Sequence, residues 1–238
     1  MGALLGAPQA QGGSLDWDVV SSVNGLARHL PSALDSLLAF MGEYGVPLAS
    51  VLMLLATWLW ARKQSDPAGS VAGVLWAGLA AGLALVANVP VRALVERPRP
   101  FVEHPGSLDL LMDHQANGSF ASDHATFTMA VAVGVFLVNR RYGFVAMGLA
   151  VLEGFLRMFV GVHYPTDILG GFALGTAVTL LLAPIAMALL TPLAHSVSRS
   201  ALAPLIAHPR PRPATGRRSA RRGGPAPLPD EPPHDLAA

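Results

Sequence analysis

The sequence predicts an all-α, polytopic membrane bundle of five transmembrane helices, preceded by interfacial amphipathic helices near the N-terminus. Three observations predict it. Hydrophobic residues make up 52% of the 238 and charged residues only 13%, roughly half the charged share of a soluble domain. Mean hydropathy is +0.47. Five stretches are also apolar for long enough to cross a bilayer, rich in Leu, Ala and Val, without the two-residue alternation of strands. Only elements that satisfy their own backbone can span lipid, so these stretches are helices.

Residues 1–14 read as a flexible N-terminus. The first basic residue is Arg28, so the positive region of a secretory signal is missing. Gly6 stands where N-myristoylation wants Ser or Thr. Over residues 15–43, Asp16, Asp18, Arg28, His29, Pro31 and Asp35 interrupt every apolar run. A pair of interfacial helices broken at Pro31 fits this better than a sixth span. Residues 44–61 and 67–91 carry no charge and form the first two spans. Residues 125–139 make a shorter third span, extended by the polar 122–124. Residues 142–160 are apolar except for Glu153 and Arg157, and 168–194 is a long apolar run that tolerates Gly170 and Gly171. Residues 15–194 thus form one membrane domain. Residues 195–238, rich in Pro, Arg, Ala and Gly, have no core-forming pattern and are expected to be a disordered basic tail. There is no cysteine, so disulfides and thiolate metal sites are excluded.

Orientation follows from the basic residues between spans. Arg62 and Lys63, Arg140 and Arg141, and the seven arginines after residue 195 alternate correctly and place their segments, the tail included, in the cytoplasm. The 92–121 and 157–167 segments then face outward together. Their arginines run against the positive-inside trend, which suggests that chemistry retains them.

Three polar islands lie on that outer side. The first is Arg92-x6-Arg99-Pro100, with Arg97 between. Pro98 and Pro100 restrict the backbone and lower the entropy cost of presenting guanidiniums. The second, Ser122-Asp123-His124, opens a helix. Ser119 or Ser122 can cap it, and its free N–H groups attract an anion. Alone, this is an N-cap with a bystander histidine. The third is Arg157-x5-His163-x3-Asp167, where a carboxylate four residues on can accept the imidazole Nδ1–H and leave Nε2 free to attack. Alone, it is equally a surface histidine with a dipole-complementing Asp. Glu153 and Arg157, four apart on one helix face within the hydrocarbon, are expected to pair and hold a stiff phosphate fork.

The three islands, in this order and spacing, resemble the three signature motifs of the type 2 phosphatidic acid phosphatase (PAP2) superfamily, over about residues 20–190. Ser-Phe-Ala-Ser-Asp-His-Ala-Thr at 119–126 and Val-Gly-Val-His-Tyr-Pro-Thr-Asp-Ile-Leu-Gly-Gly at 160–171 are most similar to the bacterial undecaprenyl-diphosphate phosphatases of the bacitracin-resistance type. In that branch Asp, here Asp123, commonly replaces a Gly. Departures are Arg92 for a frequent Lys, Ala121 for the usual Pro and Leu156 for a frequent Ser. The resemblance implies a membrane-embedded hydrolase acting on a lipid phosphate through a phosphohistidine. His163 is its nucleophile, steered by Asp167, and His124 its acid and base. Arg92, Arg99, Arg157 and Ser122 bind the phosphate. Neither metal nor cofactor is implied, since guanidiniums supply the positive charge. The partners implied are the bilayer and a lipid phosphate, with no nucleic acid, and the oligomeric state is not legible. The substrate expected is a polyprenyl diphosphate, cleaved to the monophosphate carrier, with phosphatidylglycerol phosphate, phosphatidic acid and a polyprenyl-phosphoryl pentose phosphate as alternatives. A non-catalytic lipid-phosphate binder or translocator is the reading from another class, and it needs neither histidine.

Overall fold

The computed structural model describes residues 14–208. Among these the chain is helical, with no strand. In chain order the α-helices are α1 (Ser14–Asn24), α2 (Ser32–Phe40), α3 (Val46–Ala61), α4 (Pro67–Val95), α5 (Pro100–Glu103), α6 (Asp123–Val138), α7 (Arg140–Phe159), α8 (Pro165–Val197) and α9 (Ala203–Ile206). Helix α2 runs without a break through Met41–Gly45 into α3, giving one rod over Ser32–Ala61.

Four segments are long and apolar enough to cross a membrane: Ser32–Ala61, Pro67–Glu103, Arg140–Phe159 and Pro165–Val197. The third expected span is the shorter Asp123–Val138. It occupies the centre of the bundle, against α3, α4, α7 and α8, and buries Ala130, Val131, Ala132 and Val135 completely.

Side-chain size is sorted opposite to a soluble core. Leucines such as Leu52, Leu79, Leu181 and Leu189 face outward, while Ala77, Ala80, Ala84, Ala130 and Ala150 line the interior. In lipid, apolar surface gains little from burial, and helices associate by close approach of small residues. Gly171 and Gly175 let α8 touch the backbone of α6. A Cβ on Gly175 would stand 2.5 Å from the Thr126 carbonyl oxygen and 3.0 Å from the Ala130 nitrogen. Gly148 has nothing within 4 Å of the same position. Gly175→Ala is therefore expected to destabilise by about 1–3 kcal/mol or more. Gly148→Ala, a relief of helix flexibility, is expected to stabilise by about 0.4–1 kcal/mol. Thermal unfolding of the two variants in one detergent checks both signs.

Two boundaries differ from expectation. The interfacial pair is a single short element, α1 with the tight turn Gly25–His29, because the chain breaks at Leu30–Pro31 and residues 32–43 join the first span. Pro31 takes the extended conformation in front of a helix start, so it begins a long helix rather than dividing two short ones. Residues 195–208, expected as part of the tail, are structured. Helix α8 continues to Val197, Trp58 Nε1 donates to the Leu205 carbonyl at 3.0 Å, and the His208 amide donates to Arg62 O at 2.9 Å. The expected flexible residues 1–13 and the rest of the tail, 209–238, lie outside the described residues.

Topology places the three islands at one end. The C-terminal end of α4, the N-terminus of α6, the C-terminus of α7 and the N-terminus of α8 meet there. Arg62, Lys63, Arg140 and Arg141 flank the helix termini of the opposite end.

Candidate active site

The start of α6 and the start of α8 are joined directly: Ser122 N–H donates to the Asp167 carbonyl at 3.1 Å. Ser122 caps α6, its hydroxyl accepting from Ala125 N–H, and is fully buried. The hydroxyl expected to meet a phosphate thus anchors a helix. Pro165 opens α8, and Asp167 Oδ2 accepts the Tyr164 N–H at 2.8 Å.

Asp167 is completely buried, and its second oxygen accepts from Arg97 Nη1 at 2.9 Å. Arg97 is spent on this corner. It also donates to Thr166 Oγ1 and to Asp16 Oδ2, and its guanidinium lies 4.0 Å above the Tyr164 ring. Asp16, from α1, reaches 81 residues along the chain to do this. With its donors engaged, Arg97 supports the start of α8 and through it Asp167.

His163 is 3% exposed. Its Nδ1 stands 3.6 Å from Asp167 Oδ2 and is unpartnered among the described residues. That separation is beyond hydrogen-bond range, so the expected imidazole–carboxylate bond is an adjacency here, Asp167 being held by the Tyr164 amide and Arg97. Its Nε2 lies 3.3 Å from Arg99 Nη1. Burial, and then the charges of Arg99, Arg157 and His124, hold the His163 pKa well below the ordinary 6.5. His114, in the loop between islands, is likewise lowered to about 4 by burial and by Arg99 and Arg157.

Arg99, 3% exposed, also donates from Nη1 to the Val162 carbonyl at 3.0 Å. Its Nε and Nη2 both donate to Asn117 Oδ1, at 3.0 and 2.8 Å. Arg92 Nη2 pairs with Asp123 at 2.5 Å, and Asn88 holds the other oxygen of that carboxylate at 2.7 Å. Arg92 Nε has no partner among the described residues.

Arg157 is fully buried, and here the expected pairing is corrected. Its Nη1 donates at 2.8 Å to Glu43 Oε2, 114 residues away, rather than to Glu153. Glu153 is also fully buried, with both carboxyl oxygens unpartnered among the described residues. The i, i+4 geometry only brings Glu153 near; a carboxylate arriving from the first rod takes the guanidinium first. Arg157 Nε and Nη2 remain without partners among the described residues. The same Glu43 Oε2 lies 4.0 Å from His124 Nε2, and the Glu43 carbonyl lies 3.4 Å from it.

Of the residues singled out in the sequence, Arg92, Arg97, Arg99, Ser122, Asp123, His124, Arg157, His163 and Asp167 share this end of the bundle. Glu43, Asp16, Asn88, His114 and Asn117 join them unforeseen. For Glu43 a signal existed: it is an acidic residue at the edge of the charge-free run 44–61. The arrangement presents unsatisfied buried guanidinium donors beside a neutral buried imidazole, with a second imidazole near the same arginine. Such a set can grip an anionic group, attack it and move a proton.

Linkage gives a test of the neutral state. The unfolded imidazoles of His114 and His163 take a proton near the ordinary 6.5, while the folded ones resist it. The unfolded state therefore binds more protons below 6.5, and stability falls as pH falls through that value. We expect Tm to drop between about pH 7 and 5, and His163→Asn to flatten that slope. A slope unchanged in the variant would show that His163 does not carry the effect.

Comparison with known proteins is consistent with this geometry. The sequence profile of the PAP2 superfamily matches residues 73–191. Undecaprenyl-diphosphatase BcrC of Bacillus subtilis is 36% identical over 156 residues, which cover 66% of this chain and 76% of that protein. Putative undecaprenyl-diphosphatase YbjG of Escherichia coli is 33% identical over 134 residues, covering 55% and 61%. The fold is similar to the crystal structure of Aquifex aeolicus LpxE, with a TM-score of 0.54, 17% identity and 74% and 98% of the two chains covered. It is similar also to a transmembrane PAP2-type phosphatidylglycerolphosphate phosphatase of Bacillus subtilis, with a TM-score of 0.50, 20% identity and 74% and 89% covered. At those identities the structural likeness is one of fold.

Proposed function

The chain belongs to the PAP2 superfamily, and on that premise we propose that it is a multi-pass membrane phosphatase that removes the terminal phosphate of a polyprenyl diphosphate. The observation that carries this is the pair of unpartnered donors on the buried Arg157, at the same end as His163 and His124. A buried cation with open donors is costly unless an anion completes it. Relatives named undecaprenyl-diphosphatase support the choice of substrate.

In the proposed reaction Arg157, Arg99 and Arg92 bind the oxygens of the terminal phosphoryl group, with Ser122 at the edge of the cradle. His163 attacks the phosphorus through Nε2. An N–P bond forms, the P–O bond to the leaving monophosphate breaks, and the leaving oxygen takes a proton from His124. Asp167, kept in place by Arg97, faces the positive charge that develops on His163. Water then attacks the phosphorus, gives its proton to His124 and releases inorganic phosphate as the N–P bond breaks. The membrane-bound monophosphate product is the lipid carrier returned for reuse in cell-envelope assembly. Distribution of basic residues supports a site on the extracytoplasmic face of the plasma membrane, with the tail in the cytoplasm.

Phosphate release by purified protein tests the reading. Undecaprenyl diphosphate is expected to be cleaved faster than phosphatidic acid or phosphatidylglycerol phosphate. Binding of these lipids without phosphate release would favour the binder or translocator instead.

A further inference from the structure

We propose that Glu43 is a positioning residue that joins phosphate capture to proton transfer, one carboxylate holding Arg157 while it sets His124 for acid–base work. The inference deepens the phosphatase reading and rests on it. It begins in the backbone. Between α2 and α3 the turn Met41–Gly45 is widened, with the Val46 amide donating to the Met41 carbonyl five residues back. Widened turns of this kind recur at functional sites, because the extra residue re-aims the side chains around it. Gly42 seats this turn on α7, where a Cβ would stand 3.0 Å from Leu156 Cβ. A larger residue there would lift Glu43 away from Arg157.

From this turn Glu43 makes three approaches. Oε2 accepts from Arg157 Nη1 at 2.8 Å and stands 4.0 Å from His124 Nε2. Its carbonyl oxygen lies 3.4 Å from the same Nε2. With Nε2–H directed to Glu43, Nδ1 is the His124 atom left to handle the proton. The charged and titratable groups acting on His124 or His163 at this end are Glu43, Arg157, Asp123, Arg99, Asp167, His114 and the other imidazole, and Asp167 is held by Arg97 and the Tyr164 amide. Among the carboxylates, Asp123 is already engaged by Arg92 and Asn88. Glu153 makes no hydrogen bond among the described residues. Glu43 is therefore the carboxylate placed to balance an imidazolium at His124.

The two duties separate by leaving group. Weaker seating of Arg157 lowers kcat/KM for every phosphate ester alike. Weaker support of protonated His124 matters only where the departing oxygen needs a proton. Phenyl phosphate needs one far more than p-nitrophenyl phosphate, whose departing anion is already stabilised. In full-length Glu43→Gln, kcat/KM is expected to fall about 30-fold on phenyl phosphate and about threefold on p-nitrophenyl phosphate. In a His124→Asn background the same substitution is expected to depress both esters equally. Glu43→Asp keeps the charge but withdraws it by one methylene, and is expected to show the same ordering at smaller amplitude, a check should the glutamine variant not fold. Equal losses on the two esters in both Glu43 variants, with an active wild type, would overturn this inference and leave the phosphatase reading standing. A wild type inactive on both esters and on undecaprenyl diphosphate would overturn both.

Discussion

Replacing His163 by alanine is expected to abolish phosphate release, by on the order of 10⁴–10⁶-fold, as loss of a covalent nucleophile does elsewhere. The site offers His163 as a buried ring with Nε2 beside Arg99. Its pKa is held down by burial and neighbouring guanidiniums, so the attacking lone pair is present at neutral pH. The signature is chemical as well as kinetic. Rapid quench with labelled substrate is expected to trap a phosphoenzyme that is labile in acid and survives alkali. It should be absent in His163→Ala and should accumulate in His124→Asn on a substrate with a good leaving group. Persistence of the same phosphoenzyme in His163→Ala would place the nucleophile elsewhere. Normal membrane insertion is expected, because His163 lies in the short link between α7 and α8.

The second large effect is expected at Arg157. Its Nε and Nη2 are open donors among the described residues, and each charge-assisted hydrogen bond is worth about 1.5–3 kcal/mol. Losing two is therefore expected to lower kcat/KM by roughly 10²–10⁴-fold. Arg157→Ala would mix this with a folding defect, since it leaves the half-buried Glu43 and the fully buried Glu153 without their shared countercharge. Arg157→Lys separates the two. It keeps a positive charge for Glu43 but presents a point charge instead of a planar fork. We expect Arg157→Lys to retain most thermal stability while vanadate affinity and kcat/KM both collapse. Near-wild-type turnover in that variant would remove Arg157 from phosphate binding.

How much of this was legible in the sequence depends on distance along the chain. The islands, their order and their common end follow from local spacing and the alternation of apolar runs, and the structure brings them together. Local spacing misled where a distant group competed. Glu153 sits correctly for Arg157, yet Glu43 takes the guanidinium from a rod whose first turns looked interfacial. Asp35 and Pro31 made residues 32–43 appear too polar to continue a span, whereas a proline preceding a helix is a starting signal. Arg97 read as a supporting residue without a named partner, and the groups it engages, Asp16, Asp167 and Thr166, come from distant segments. Asn117 and His114 lie in a loop without periodicity, so nothing local marked them. Ser122 was ambiguous between cap and ligand, and its hydroxyl caps the start of α6 at the end of the bundle where the islands meet.

Two carboxylates from the first third of the chain have a practical consequence for anyone trimming this protein. The span matched by the family profile, residues 73–191, holds every motif residue but neither Glu43 nor Asp16. A fragment cut to that span would keep the signature and lose the anchors of Arg157 and Arg97. A fragment that keeps both anchors must therefore begin ahead of residue 16.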